Sequence, residues 1–151
     1  CGSCLLRHAR GVRRRCQARS QKGRISPAVE RLIECNILLS GVGFESGGLA
    51  LAHAIANGLT ILPECRAMHG EAVAFGLLVQ LRLERAPELD QVLEFCQRVG
   101  LPTTLEELGL GEISDADLMS VADATFKNER NMANEQAKVT KQKLVQLMRE
   151  A

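Results

Sequence analysis

The stretch from Gly41 to Gly58 (GVGFESGGLALAHAIANG) constrains this chain more than any other. It passes from a glycine-rich turn into a segment built almost wholly of Ala, Gly, Leu and Ile, with one imidazole, His53, set among them. Side chains this small let a neighbouring backbone approach closely, which suits helices packed on helices. Sixteen residues on, past Pro63, the sequence reads Met68-His69-Gly70-Glu71 and enters a second apolar segment. The chain has three histidines, and two of them mark these two segments.

The rest of the chain is consistent with helices. Four Phe, with neither Trp nor Tyr, leave a core of Leu, Ala, Val and Ile. β-Sandwich strands favour aromatic and β-branched residues, so this composition disfavours them. Ser26-Pro27 reads as an N-cap followed by proline at the first helical position. Val29, Leu32, Ile33, Asn36 and Ile37 fall at helical spacing, which predicts a helix to about Ser40, ended by Gly41 and Gly43. Glu45 and Ser46 are expected to open the next helix, burying Leu49, Ala52, His53 and Ala56 and stopping near Gly58. A long helix over about 70–86 should turn Val73, Leu77, Leu78 and Leu81 inward and Arg82, Glu84 and Arg85 outward. A further amphipathic helix is expected from Glu88 to Val99, stopped by Gly100-Leu101-Pro102. Thr104 should cap a short turn over 105–108, and Ser114 with Asp115 and Asp117 marks another helix start. Residues 128–134 read as polar and broken, and Thr140 begins a last helix through Leu144, Leu147 and Met148. No repeat and no convincing alternating strand occurs. The expected fold is all-α, an orthogonal helical bundle.

The formal net charge of +1 conceals an asymmetry. Residues 1–24 hold seven Arg and one Lys with no acid, a charge of +8, whereas the remainder holds 11 basic and 18 acidic residues, a charge of −7. A basic arm of this kind can bind nucleic acid or a membrane surface. This one has no aromatic to stack on bases and no evident apolar face, so neither a nucleic-acid nor a membrane partner is expected. The segment reads as a disordered or foreign extension, and 25–151 as the helical domain. No apolar run approaches the ~18–20 residues that span a bilayer, and Cys4-Leu5-Leu6 is too short for a secretory leader. A cytoplasmic protein is expected. Of the six cysteines (1, 4, 16, 35, 65 and 96), the Cys1-x-x-Cys4 pair has no answering second pair, so all six are read as reduced and non-catalytic.

His53 and His69 lie on different helices, so they can serve one ion only if those helices pack side by side. A catalytic divalent metal takes about three protein ligands and keeps one position open. Glu71 could accept an imidazole N–H behind such a site or could cap its own helix. Spacing alone leaves both histidines open to packing or capping roles.

Longer motifs add to this. Gly43-Phe-Glu-Ser-Gly-Gly-Leu-Ala50, His53-Ala-Ile55, Asn57-Gly-Leu-Thr60 and His69-Gly-Glu-Ala-Val-Ala-Phe-Gly76 closely resemble the C-terminal helical domain of the glycerol dehydrogenases. These are metal-dependent alcohol dehydrogenases related to dehydroquinate synthase. Gly100-Leu-Pro-Thr-Thr-Leu105 is similar to the same family's downstream segment, so the likeness runs over roughly 22–151. The resemblance implies that His53 and His69 are metal ligands, to Zn²⁺ or Fe²⁺, and that Phe44 and Ser46 border the substrate. It implies oxidation of glycerol or a similar small polyol with NAD, in a homo-oligomer of the full-length enzyme. A related secondary-alcohol or diol dehydrogenase, and a non-catalytic helical interaction fragment, are the alternatives.

Three departures accompany the likeness. The family's third metal ligand is an aspartate preceding the first histidine, and residues 1–44 contain none. The family's NAD-binding domain, with its glycine-rich phosphate turn, is absent from these 151 residues, and no other cofactor-binding residue is expected here. Where the family commonly reads His-Ala-Ile-His-Asn-Gly, this chain has Ala56 at the second histidine. An incomplete, inactive piece of an enzyme is therefore the expectation for the isolated chain.

Overall fold

The computed structural model describes residues 27–151. The basic segment 1–24, its cysteines, the Ser26 cap and a domain boundary at 24 lie outside that range. The chain divides into two compact units, residues 1–48 and 49–151. Among the described residues there are seven α-helices and no strand, so the fold is all-α. No single described helix is long and apolar enough to cross a membrane.

The described part of the first unit is one helix, α1 (Pro27–Gly47). Its first described residue is Pro27, and it runs straight through Gly41 and Gly43, where the sequence predicts a stop. Glycine inside a helix costs only about 1 kcal/mol relative to alanine, so it permits termination without compelling it. The stop falls on Gly48, which takes a left-handed φ of 67°, while its N–H still donates to the Phe44 carbonyl oxygen at 2.9 Å. Glu45 and Ser46 consequently sit in the last turns of α1 and do not open the next helix.

The second unit holds α2 (Leu51–Leu59), α3 (His69–Glu84), α4 (Leu89–Val99), α5 (Asp115–Lys127), α6 (Glu129–Met132) and α7 (Lys141–Glu150). Helix α2 is its centre and packs on both α3 and α5, with α7 closing over α5 and α3. Leu51, Ala54, Ile55 and Leu59 of α2, Phe75 and Val79 of α3, Leu118 and Val121 of α5, and Leu144 and Met148 of α7 are all sealed from solvent. Each Leu, Ile or Phe so buried contributes roughly 1.5–3 kcal/mol from its own transfer out of water.

Two glycines set how near the helices come. A Cβ built on Gly58 would stand 2.5 Å from Thr125 Oγ1 and 2.8 Å from the Val121 carbonyl oxygen, at the crossing of α2 with α5. A Cβ on Gly76 would collide with the Ala52 carbonyl oxygen at the crossing of α3 with α2. Thr125, fully buried, satisfies its hydroxyl by donating to the Val121 carbonyl at 2.8 Å.

Most helix ends follow the local chemistry. Ser114 Oγ accepts from the Asp117 N–H at 3.1 Å and Thr140 Oγ1 from the Lys143 N–H at 3.2 Å, ordinary N-caps. Thr104 Oγ1 accepts from the Glu107 N–H at 3.1 Å. Gly100 ends α4 at φ 73°, and Leu101 N–H returns to the Cys96 carbonyl at 2.9 Å. Several faces differ from expectation. Leu49 precedes α2 and is half-buried. Leu77 is 38% exposed, while Phe75, Gly76 and Val79 face the core, and Arg82 is half-buried instead of outward. Helix α3 is apolar on nearly every side, so periodicity could not choose its inner face. The stretch read as broken contains the short α6, begun by Asn128 and burying Asn131. Cys35, Cys65 and Cys96 form no disulfide.

Candidate metal and substrate site

His53 is the third residue of α2 and His69 the first of α3. The close crossing of those helices, permitted by Gly76, brings the imidazoles to a centroid separation of 5.9 Å with their planes tilted by 55°. A simple test asks whether one ion could serve both. With a metal–nitrogen bond of about 2.0–2.1 Å, a ring centroid lies about 3.2 Å from the ion, so two rings on one ion stand at most about 6.4 Å apart. The observed pair falls inside that limit.

His53 is half-buried and His69 exposed. Burial, and after it the neighbouring His69, hold the His53 imidazole below its ordinary pKa. A neutral ring is the form that offers a lone pair to a metal. Among the described residues no third His, Cys, Asp or Glu joins the pair to make a cluster of three, so these residues supply two donors.

Glu71 resolves one of the open alternatives. Its Oε2 accepts the Met68 backbone N–H at 2.8 Å, which ties it to the first turn of α3. Gly70, beside His69, has open space where a Cβ would stand. Ala56, at the position where the family commonly has histidine, is 1% exposed and part of the core. Phe44 and Ser46 belong to the first unit, near the end of α1, and both are exposed there. One concavity among the described residues, about 590 Å³, is lined by Arg66, Glu71, Pro102 and Glu107 among others. Neither histidine lines it.

No family model matches the chain. Individual proteins do. It is 51% identical over 124 residues to a glycerol dehydrogenase of Citrobacter freundii, covering 80% of this chain and 34% of the relative. It is 46% identical over 143 residues to a glycerol dehydrogenase of Thermotoga maritima, covering 93% of this chain and 38% of the relative. The solved glycerol dehydrogenase of Schizosaccharomyces pombe superposes with a TM-score of 0.82 at 36% identity, over 95% of this chain and 39% of that one. The chain is homologous to the C-terminal part of the glycerol dehydrogenases. It spans little more than a third of the length of the relatives it matches.

Two residues that the sequence alone does not single out stand at the α2–α3 crossing, Gly76 and Gln80. A glycine inside an apolar helix is a known sign of close packing, and Gly76 ends one of the motifs quoted above. Gln80 carries no comparable local sign. Its importance lies in a hydrogen bond to Ala52, 28 residues away.

Proposed function

We propose that this chain is the metal- and substrate-binding part of an NAD-dependent glycerol dehydrogenase that converts glycerol to dihydroxyacetone. The observation that carries the reading is the pair His53 and His69, 5.9 Å apart across the α2–α3 crossing, in a chain homologous to glycerol dehydrogenases. His53 and His69 are two ligands of a divalent ion, zinc or iron. The third ligand and the NAD-binding domain belong to sequence outside these 151 residues, in a protein that assembles as a homo-oligomer. Phe44 offers an apolar surface and Ser46 a hydroxyl beside the polyol.

His53 and His69 would hold the ion, whose chemistry there would be Lewis-acid polarisation of the alcohol oxygen so that its proton leaves to solvent, with NAD as the hydride acceptor held outside these residues. The chain's own contribution is position. The crossing at Gly76 fixes the spacing of the two rings, and burial favours the neutral form of the His53 ring. Glu71 is occupied in holding the first turn of α3, which fixes the backbone that presents His69.

Zinc titration of the 151-residue chain, followed by NMR through the histidine ring resonances, tests the reading. His53 and His69 should shift together with one stoichiometry, His8 serving as an internal control. Replacing either with Ala should abolish the shift of the other at matched zinc. Independent titration of the two rings would end the shared-ion reading. A protein joining this segment to its NAD-binding domain should yield one dihydroxyacetone per NADH, whereas the isolated chain should not turn over.

A further inference from the structure

Helix α2 begins without a cap of its own. Its N-cap position is Ala50, which has no side-chain acceptor for the first-turn N–H groups. The Ala52 N–H is satisfied from another helix, by Gln80 Oε1 of α3 at 3.0 Å. The Gln80 amide is held in turn, since its Nε2 donates to Glu84 Oε1 at 2.8 Å. That second bond points the amide oxygen toward α2, because a carboxylate can only accept. Four residues before Gln80, on the same face of α3, Gly76 lies directly under the Ala52 carbonyl. The main chain of Ala52 is thus gripped at both ends by α3, its N–H by Gln80 and its C=O by contact with Gly76. The carbonyl held over Gly76 belongs to the peptide bond that leads into His53.

We infer that Gln80 is a positioning residue for His53: through the Ala52 N–H it sets the depth and rotation of the first turn of α2, and with them the direction in which the His53 ring faces His69. Gly76 lets the helices meet by leaving no Cβ between them, but steric contact alone leaves α2 free to rotate or slide. The Gln80 hydrogen bond removes that freedom. This rests on the metal-site reading above, and residues that orient ligands indirectly are commonly worth 10–100-fold in metal affinity.

The test is the same zinc titration of the whole chain, read at the His53 and His69 rings, with three variants. Gln80→Met keeps the length of the side chain and removes both hydrogen bonds. It should weaken zinc about tenfold and move the zinc-bound His53 ring shift. The double variant Gln80→Glu with Glu84→Gln keeps an acceptor for the Ala52 N–H and a donor between the two side chains, and should restore both affinity and shift. Glu84→Ala changes an exposed residue outside the core, and should weaken zinc by less than Gln80→Met does, by releasing the Gln80 amide. Wild-type affinity and ring shifts in Gln80→Met, or in Glu84→Ala should the former not fold, would overturn the role of Gln80 while leaving the histidine site standing. Failure of the swapped pair to restore the shift would also overturn it, assigning the loss to general loosening. Equal zinc binding in wild type and His53→Ala would remove the metal-site reading, and the positioning role with it.

Discussion

Helix α1 has 21 residues and buries none of them, whereas α2 has nine and buries seven. Both are rich in apolar residues. Helix α1 carries large branched ones, with Ile33, Ile37, Leu38 and Val42 each more than half exposed. Helix α2 is made of Ala and Gly as much as of Leu and Ile. The difference teaches that large apolar side chains alone do not bury a helix in this chain: the buried helix is also the one whose small residues let neighbouring backbones approach. Small residues at Ala52, Ala56 and Gly58 admit α3 and α5, and close packing then seals the large side chains between them. The same closeness brings His53 beside His69, so the tightest packing and the candidate chemistry occupy one crossing.

Two phenylalanines offer the sharpest way to break that comparison. Phe75 is fully buried in α3, while Phe44 is 53% exposed on α1. Phe75→Ala should cost about 3–5 kcal/mol in chemical denaturation, because the core is left with a cavity it cannot fully close. Phe44→Ala should leave stability within about 0.5 kcal/mol, like other surface changes. Equal losses at the two positions would show that α1 is buried as firmly as α2 in solution. The contrast drawn here would then fail.

A smaller change tests closeness itself. Gly76→Ala adds one methyl group, but that methyl meets the Ala52 carbonyl oxygen, with the Ala52 carbonyl carbon and Cα each at 3.1 Å. Backbone cannot swing aside as a flexible side chain can, so α2 and α3 must part. About 2–3 kcal/mol should be lost in denaturation, against the usual gain from replacing a helical glycine. The His53–His69 ring separation should grow at the same time. Gly70→Ala, where space is open, should be neutral or mildly stabilising. A stabilised Gly76→Ala would mean that the crossing is looser than the geometry states.

What could be read from the sequence divides along the same line. Caps were legible, because Ser114, Thr104, Thr140 and Gly100 act on backbone groups within a few residues of themselves. The two histidines were legible as candidates, since a motif travels with its letters. The helix stop at Gly48 was not, because Gly41, Gly43, Gly47 and Gly48 are chemically alike and only the φ of 67° singles one out. Nor was the inner face of α3. Phe75 and Leu77 are both apolar, and the choice between them is made by α2, which comes from another part of the chain. Gln80 looks like any solvated glutamine until Ala52 is placed opposite it. Pairings of this kind come from the fold and leave no local period to detect.

The finest comparison is between two glutamates whose pKa values are shifted in opposite directions. Glu107 accepts hydrogen bonds from the Thr103 N–H at 2.6 Å and the Thr103 hydroxyl at 3.0 Å. The Thr103 backbone first, and then its hydroxyl, favour the ionised form and lower the Glu107 pKa. Glu135 has its pKa raised, mainly by burial and further by the charge of Glu84, against the opposing pull of the Ala137 N–H. Its Oε2 is buried without a hydrogen-bond partner, although Oε1 accepts from Ala137 at 2.9 Å. The signs follow by linkage. Glu107 binds its proton less readily folded than unfolded, so its contribution is present above the ordinary glutamate pKa, about 4.3, and is lost as pH falls through its lower folded value. Glu135 binds its proton more readily when folded, so its contribution is present below that ordinary value and is lost as pH rises through its higher folded one. Denaturation midpoints measured from pH 3 to pH 7 should therefore move in opposite directions. Glu107→Gln should destabilise the chain at pH 7, with the difference from wild type shrinking on acidification. Glu135→Gln should stabilise it at pH 7, with the gain vanishing near pH 4. Both effects should be modest, because Glu107 is exposed and screened by water and Glu135 is only half-buried. Parallel pH profiles for the two variants would place the two carboxylates in the same environment, against the partners they are seen to have.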